Sequence, residues 1–203
     1  LDDIVFEVTN IDDLIEACKY NHATIKVTRD LISKDKVTNV NLSSESTIYS
    51  PNNSKLVNIS LYINDVHDIL INNIKFTSNI EKNVIETSSR INIKDSTVID
   101  IVDCEFFDKN KRRKENNIYI DSKLNDINIL SSVDINIANN IFNKSTNCIY
   151  LNECSQILID KNSFNECDYC VFNYNSGIEI NEENSYIGCT NTFIDKSNKF
   201  SFN

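Results

Sequence analysis

Two glycines, one proline, no methionine and no tryptophan occur in the 203 residues of this chain. So little glycine and proline excludes collagen-like and Pro/Gly-rich disordered chains. Tight turns must then take their left-handed residues from elsewhere. Asparagine tolerates that conformation better than most side chains and is abundant, so it is expected to fill those places. An AT-rich coding sequence would enrich Asn, Ile and Lys equally well. No apolar run approaches the ~18 residues of a membrane-spanning helix. The absence of methionine predicts that Leu1 is not a translation start and that the chain is processed or trimmed. That allows a removed signal peptide and secretion. Positive charge is scarce, with 20 basic against 30 acidic residues and a net charge of -10. Nucleic acid and anionic membranes are therefore poor partners. The segment DKNKRRKE at 108–115 is the local exception and is expected to be a solvated loop.

Hydrophobic residues make up 40% of the chain, which excludes disorder and supports one core in a single domain, residues 1–203. Between Asp134 and Phe164 one pattern occurs twice, 22 residues apart. Ile135 and Ile137 return as Ile157 and Ile159, Asn140 as Asn162 and Phe142 as Phe164, and the period runs on to Asn184 and Tyr186. Ile127, Ile149 and Val171 keep the same step. A fixed period of this size marks stacked coils, because each unit has a face it can bury only against the next. Within each unit the apolar residues come as I-x-I pairs, the signature of short strands with one inward face. Three such strands per coil predict an all-β chain, a right-handed parallel β-helix of about 22-residue coils. The leading strands begin at Leu61, Ile91, Ile127 and Ile149, each eight residues before a second strand, and the third strands start near Phe76, Phe106, Phe142 and Phe164.

Asn10 followed by acidic residues predicts an N-capped helix over 10–20, with Ile11, Leu14, Ile15 and Cys18 on one side, capping the open end of the β-helix. The main coils are expected over 55–186, with 187–203, including Phe193, Phe200 and Phe202, covering the last rung. If these aromatics leave that rung open, the chain could self-assemble end to end. The column Asn140, Asn162 and Asn184 is expected to be a structural amide ladder.

Cys148 with Cys170, and Cys167 with Cys189, each stand one coil apart. Stacked strands lie ~4.8 Å apart, within the ~4.4–6.8 Å Cα range of a disulfide. The spacing predicts two rung-to-rung disulfides and an oxidising, extracellular compartment, with stacked free thiols as the alternative. Sequons at Asn41, Asn52, Asn58 and Asn143 agree with secretion. Cys167 and Cys170 form a C-x-x-C, but no second pair has metal-site spacing. His22 and His67 show no nearby carboxylate in the sequence arrangement and are read as structural.

Four stretches in order, TNIDDLIEACKYNHATIKVTRDL, SLYINDVHDILINNIKF, INIKDSTVIDIVDCEFFD and SSVDINIANNIF, resemble the opening helix and successive coils of pectate lyases and pectate-lyase-like pollen allergens. DILINNIKF is similar to the family's NVIIRNI-like strand, and IDIVDCEF to its VWIDHC-x-F segment, Cys104 included. The resemblance covers residues 5–186. It implies β-elimination on acidic polysaccharides, with calcium neutralising the uronate carboxylate and an arginine removing the adjacent proton. The family's acidic positions fall on Thr87, Ser89, Leu124 and Asn128, its assisting lysine near Asn147, and its Arg-Pro-Arg segment on Cys170, Phe172 and Asn175. None of these residues is charged. Asp121 and Asp126 stand close enough to supply part of a calcium site, but they do not replace the arginine.

The residue after each leading inward position points outward, giving Tyr62, Asn92, Asn128, Tyr150 and Phe172 on one face. Aromatics there can stack on sugar rings or anchor a protein, or lie covered by the long loops. No cofactor is expected. The sequence thus predicts a non-catalytic pectate-lyase-like β-helix, a secreted structural or adhesive element whose partners are glycans or other wall or coat proteins. A carbohydrate-binding module and a lyase with a relocated site are the alternatives.

Overall fold

The computed structural model describes residues 3–78, 88–107 and 125–196. The chain winds through three parallel sheets, taking one strand from each per coil. Sheet A runs from Ile4–Val8 and Ala23–Val27, through Ser46–Tyr49, His67–Asn72, Thr97–Val102, Val133–Ala138 and Ser155–Asp160, to Ile178–Ile180. Sheet B carries the phenylalanine strands, among them Lys75–Thr77, Glu105–Phe107, Ile141–Asn143 and Ser163–Asn165. Sheet C contains Ile59–Asn64, Ile91–Lys94, Ile127–Leu130, Asn147–Asn152 and Tyr169–Tyr174. This is a parallel β-helix.

Register explains the period. Ile135 pairs with Ile157 and Ile137 with Ile159, while Ile127 pairs with Ile149 and Ile149 with Val171. The isoleucines that repeat in the sequence thus become columns sealed inside the coil. The Phe76, Phe106, Phe142 and Phe164 rings stack at 5.0, 4.9 and 4.8 Å, and Tyr186 continues the column at 5.1 Å. Such ring pairs add ~0.5–1.5 kcal/mol each beyond burial. The column is unbroken although the spacing between its members grows to 30 and 36 residues before returning to 22. The segments 79–87 and 108–124, which include the basic stretch 108–115, lie outside the described residues.

Asn10 caps the helix as expected, its side chain accepting from Asp13 N at 2.8 Å. The helix is shorter than predicted, Ile11–Ala17. Leu14, Ala17 and Cys18 are buried, whereas Ile15 is exposed and not part of the inward face. In the first coil the helix replaces strands of sheets B and C, packing against Ile4–Val8, Ala23–Val27 and Thr38–Asn41. Coil stacking also starts well before residue 55: Leu31–Ile32, Thr38–Asn41 and Ser46–Tyr49 are rungs of sheets B, C and A. At the other end Asn191–Asp195 forms a further rung of sheet C instead of a cover. Phe193 sits in register on Val171 and remains exposed. Phe200 and Phe202 lie outside the described residues.

Turns bring polar backbone into the interior, and side-chain ladders satisfy it. Asn162 Oδ1 accepts from Asn140 N at 2.9 Å and Asn140 Nδ2 at 3.1 Å, while Asn162 Nδ2 donates to Ile137 O at 2.9 Å. Asn184 does the same for Asn162 and Ile159. Cys104 occupies the place one rung before Asn140, its N–H donating to Asn140 Oδ1 at 2.8 Å. A second ladder crosses another turn, where Val66 N donates to Ser96 Oγ and Ser96 N to Ser132 Oγ, both at 3.2 Å. Left-handed turn residues are numerous, as the shortage of glycine requires. Asparagine shares them with Asp65, Asp95, Asp103, Glu153, Lys161 and even the β-branched Val98, at φ 58°.

The expected disulfides are not formed: all seven cysteines are free. The Cα separation between rungs suits a disulfide, but parallel in-register stacking aims equivalent Cβ–Sγ bonds the same way, and a disulfide needs them to converge. Cys167 Sγ instead donates to Phe142 O at 3.3 Å, and Cys189 Sγ to Phe164 O at 3.3 Å, the same bond one coil on. Burial pushes the thiols of Cys18 and Cys104 up to about 12.

Two outcomes are expected. Asn162→Ala leaves Asn140 N and Ile137 O without their partners in a buried turn, and should cost about 2–4 kcal/mol in urea unfolding, as each buried orphan costs ~1–3 kcal/mol. The buried thiols stay neutral in the fold but ionise near pH 9 once unfolded. Their contribution is whole below pH 9 and lost as pH rises toward about 12. A Cys18→Ala, Cys104→Ala double variant should therefore show a shallower loss of unfolding free energy above pH 9 than the parent.

Candidate carbohydrate-binding face

The outward column on sheet C forms as the sequence predicts. Tyr62 pairs with Asn92, Asn92 with Asn128, Asn128 with Tyr150, and Tyr150 with Phe172. Asn41 and Ile194 continue it at either end. Alternation along each strand sends these side chains away from the isoleucine core. Tyr150 and Phe172 stack, with centroids 5.3 Å apart and planes 10° from parallel. The column is not fully open: Asn128 is buried, and the other four are half-buried.

Two residues further along each strand a neighbouring outward column holds Asn64, Lys94, Leu130, Asn152 and Tyr174, also in register. Sequence reading by the leading column alone passes over Tyr174 and Leu130, although the same two-residue alternation identifies them. Together the columns give a face of amides and aromatic rings with a single charge, Lys94, in these rungs. Asn92 Nδ2 donates to Ser89 O at 2.8 Å. By contrast, Asn128 Oδ1 and Asn152 Oδ1 are buried acceptors without a donor among the described residues. Such acceptors call for a hydroxyl or amide donor from water or a ligand. Burial raises the Tyr150 phenol above its ordinary value of 10, with Tyr174's charge adding to the effect.

The positions where lyase chemistry would stand divide by location. Asn128, Asn147, Phe172 and Asn175 carry no charge, and Ser89 is buried. Cys170 lies fully buried in the core, so a side chain there does not reach the face at all. Asp126 is buried in the rung next to Arg90, at the corner where sheet B passes into sheet C. Thr87, Leu124 and Asp121 lie outside the described residues.

One expectation is overturned away from this face. His22 and His67 do have carboxylate neighbours: His22 Nε2 lies 2.6 Å from Glu45 Oε2, and His67 Nδ1 lies 2.8 Å from Asp68 Oδ2. Stacking of separate coils creates the His22–Glu45 pair, whereas His67 and Asp68 are neighbours in sequence.

No family model matches the chain, and no curated protein sequence does. Among solved structures it is similar to a thermostable pectate lyase, with a TM-score of 0.57 and 15% identity over 90% of this chain and 71% of that one. The likeness is one of fold. A protein of Parabacteroides merdae described as a glycosyl hydrolase overlaps with a TM-score of 0.47 and 10% identity, over 94% of this chain and 97% of that one.

Phe172 covers one side of Tyr150. Phe172→Ala should let the Tyr150 phenol return toward 10, read as an earlier tyrosinate absorbance change relative to the parent. An unchanged titration would mean that the burial comes from elsewhere.

Proposed function

We propose that this chain is a non-catalytic β-helix that serves as a structural or adhesive element of an extracellular surface, holding a neutral glycan on sheet C. The observation that carries this reading is the in-register column Tyr62, Asn92, Asn128, Tyr150 and Phe172, with the stacked Tyr150–Phe172 pair beside Asn128 and Asn152 carbonyl oxygens that have no donor among the described residues. Rings present flat apolar surface to a sugar ring, and amide oxygens accept from its hydroxyls.

A lyase for uronates needs hard-oxygen calcium ligands and a base beside the sugar. The residues at those positions, Asn128, Asn147, Phe172 and Asn175, supply neither. The net charge of -10 also disfavours an acidic polymer, which adds weight to a neutral one. With the cysteines free, the extracellular setting rests on sequons. Asn41 and Asn52 are exposed, and Asn143 is half-buried. Asn58 is unsuited to glycosylation because it is buried and its Nδ2 donates to Ser33 O at 3.0 Å.

The test pairs two assays on the whole chain. Binding to a panel of neutral polysaccharides, by pull-down and calorimetry, is expected for the parent and should weaken about tenfold or more in a Tyr150→Ala, Phe172→Ala double variant, since each ring contact is worth ~0.5–1.5 kcal/mol. Incubation with polygalacturonate and calcium should give no unsaturated product. Product formation by the parent would overturn the non-catalytic reading. Absence of glycan binding would remove the adhesive one.

A further inference from the structure

The chain has two histidines, 45 residues apart in sequence, and the coil brings both to one turn. His22 and Glu45 immediately precede strands of sheet A and Asp68 is the second residue of the next, His67–Asn72, in three successive coils, with φ of 55°, 58° and 57°. Main-chain bonds fix their register: His22 N donates to Ser44 O at 3.3 Å and Glu45 N to His67 O at 2.8 Å. Ser44 Oγ also accepts from His67 N at 3.2 Å. The side chains consequently rise from one short column at the surface, half-exposed.

One ligand atom from each of Glu45, His67 and Asp68 lies within 4.8 Å of the other two. His22 stands behind Glu45, its Nε2 2.6 Å from the Glu45 carboxylate. An imidazole with two carboxylates is a mixed nitrogen and oxygen donor set. Calcium and magnesium prefer oxygen alone, whereas zinc and its first-row neighbours take imidazole readily. Zinc bonds of ~2.0–2.2 Å set tetrahedral ligand atoms roughly 3.3–3.6 Å apart, so His67 and Asp68, now 2.8 Å apart, would exchange their mutual contact for the ion while the Glu45 carboxylate closes in by about an ångström, which half-exposed side chains on fixed turns can do. Three protein ligands leave a fourth position for water. A histidine hydrogen-bonded to a ligating carboxylate orients that ligand, as outer partners of metal sites do.

We propose that Glu45, His67 and Asp68 bind one zinc-like divalent transition ion, with His22 positioning Glu45. Each ligand-bearing turn belongs to a different coil from His22, so the ion would tie consecutive rungs near the helix-capped end. Binding would stabilise the folded chain by mass action, because the unfolded chain holds the ligands apart. The site is separate from the sheet C face and does not depend on the glycan-binding reading.

The experiment is calorimetric titration of the whole chain with zinc chloride in a non-thiol, non-chelating reductant, with thermal unfolding followed in parallel. One equivalent of zinc is expected to bind and to raise Tm by a few degrees, with calcium giving neither effect. His67→Ala and Glu45→Gln, both at half-exposed positions, should each lower affinity at least ~10-fold and abolish the Tm shift, while His22→Gln should lose ~10-fold or more as an outer partner. Circular dichroism of the variants checks that they fold. Failure of the parent to bind zinc would overturn the proposal. So would zinc binding and a Tm shift that persist unchanged in His67→Ala, since the ion would then sit elsewhere, for instance on cysteines.

Discussion

Everything in this chain depends on in-register parallel stacking, which places each residue directly over its counterpart one coil away. That constraint is severe for turns, because a turn must bring peptide groups into the interior without a neighbouring strand to satisfy all of them. The Asn140, Asn162 and Asn184 ladder answers it with one side chain per rung: each amide oxygen takes an N–H from the previous rung, and each amide nitrogen returns a hydrogen bond to a carbonyl there. Cys104 shows the limit of substitution at this place. Its sulfur reaches Ile71 O only at 3.7 Å, a weaker version of the amide bond. The core above and below can remain purely apolar because the turns handle their own polar groups.

Stacking also decides where variation is allowed. A residue inserted within a strand would shift every later column by one and turn the inward set outward. The chain lengthens instead between Phe76 and Phe106 and between Phe106 and Phe142, while those three rings stay stacked at 5.0 and 4.9 Å. Stability in such an array is close to a sum over neighbouring rungs. Length outside the stack therefore costs little provided the pairing of each rung with the next is kept.

Much of the fold was legible because a 22-residue period of isoleucines, asparagines and phenylalanines has few physical causes besides stacked coils. The early coils were not, since Leu31, Ile48 and Leu56 are followed two positions on by Ser33, Ser50 and Asn58 instead of a second apolar residue, and the one alternating pair there, Val40 and Leu42, does not keep the 22-residue step. The outward column was readable from alternation alone, and Tyr174 was within reach of the same rule. Cysteine pairing was misread because the spacing gives the distance between Cα atoms but not the direction of the Cβ–Sγ bonds. Asp68 stands next to His67 in the sequence and was simply passed over, but Glu45 was missed for a related reason, as coils near the N-terminus step by 23 residues from His22 to Glu45 to Asp68. Only that step, not the 22 of the later coils, superimposes them.

A shared coil architecture constrains the interior far more than the outside. Ile127, Ile149 and Val171 must be apolar for any function, whereas the residues beside them, Asn128, Tyr150 and Phe172, answer only to what meets the surface. Fold likeness to a pectate lyase at 15% identity therefore speaks to the inward columns. The outward ones carry their own information. Under the proposed reading, stacked rings at Tyr150 and Phe172, with amide oxygens at Asn128 and Asn152 that have no partner among the described residues, would meet a neutral hydroxyl-bearing ligand. Strands fixed by pairing on both sides would hold those groups in place with little further ordering on binding, the condition under which a modest number of contacts yields useful affinity.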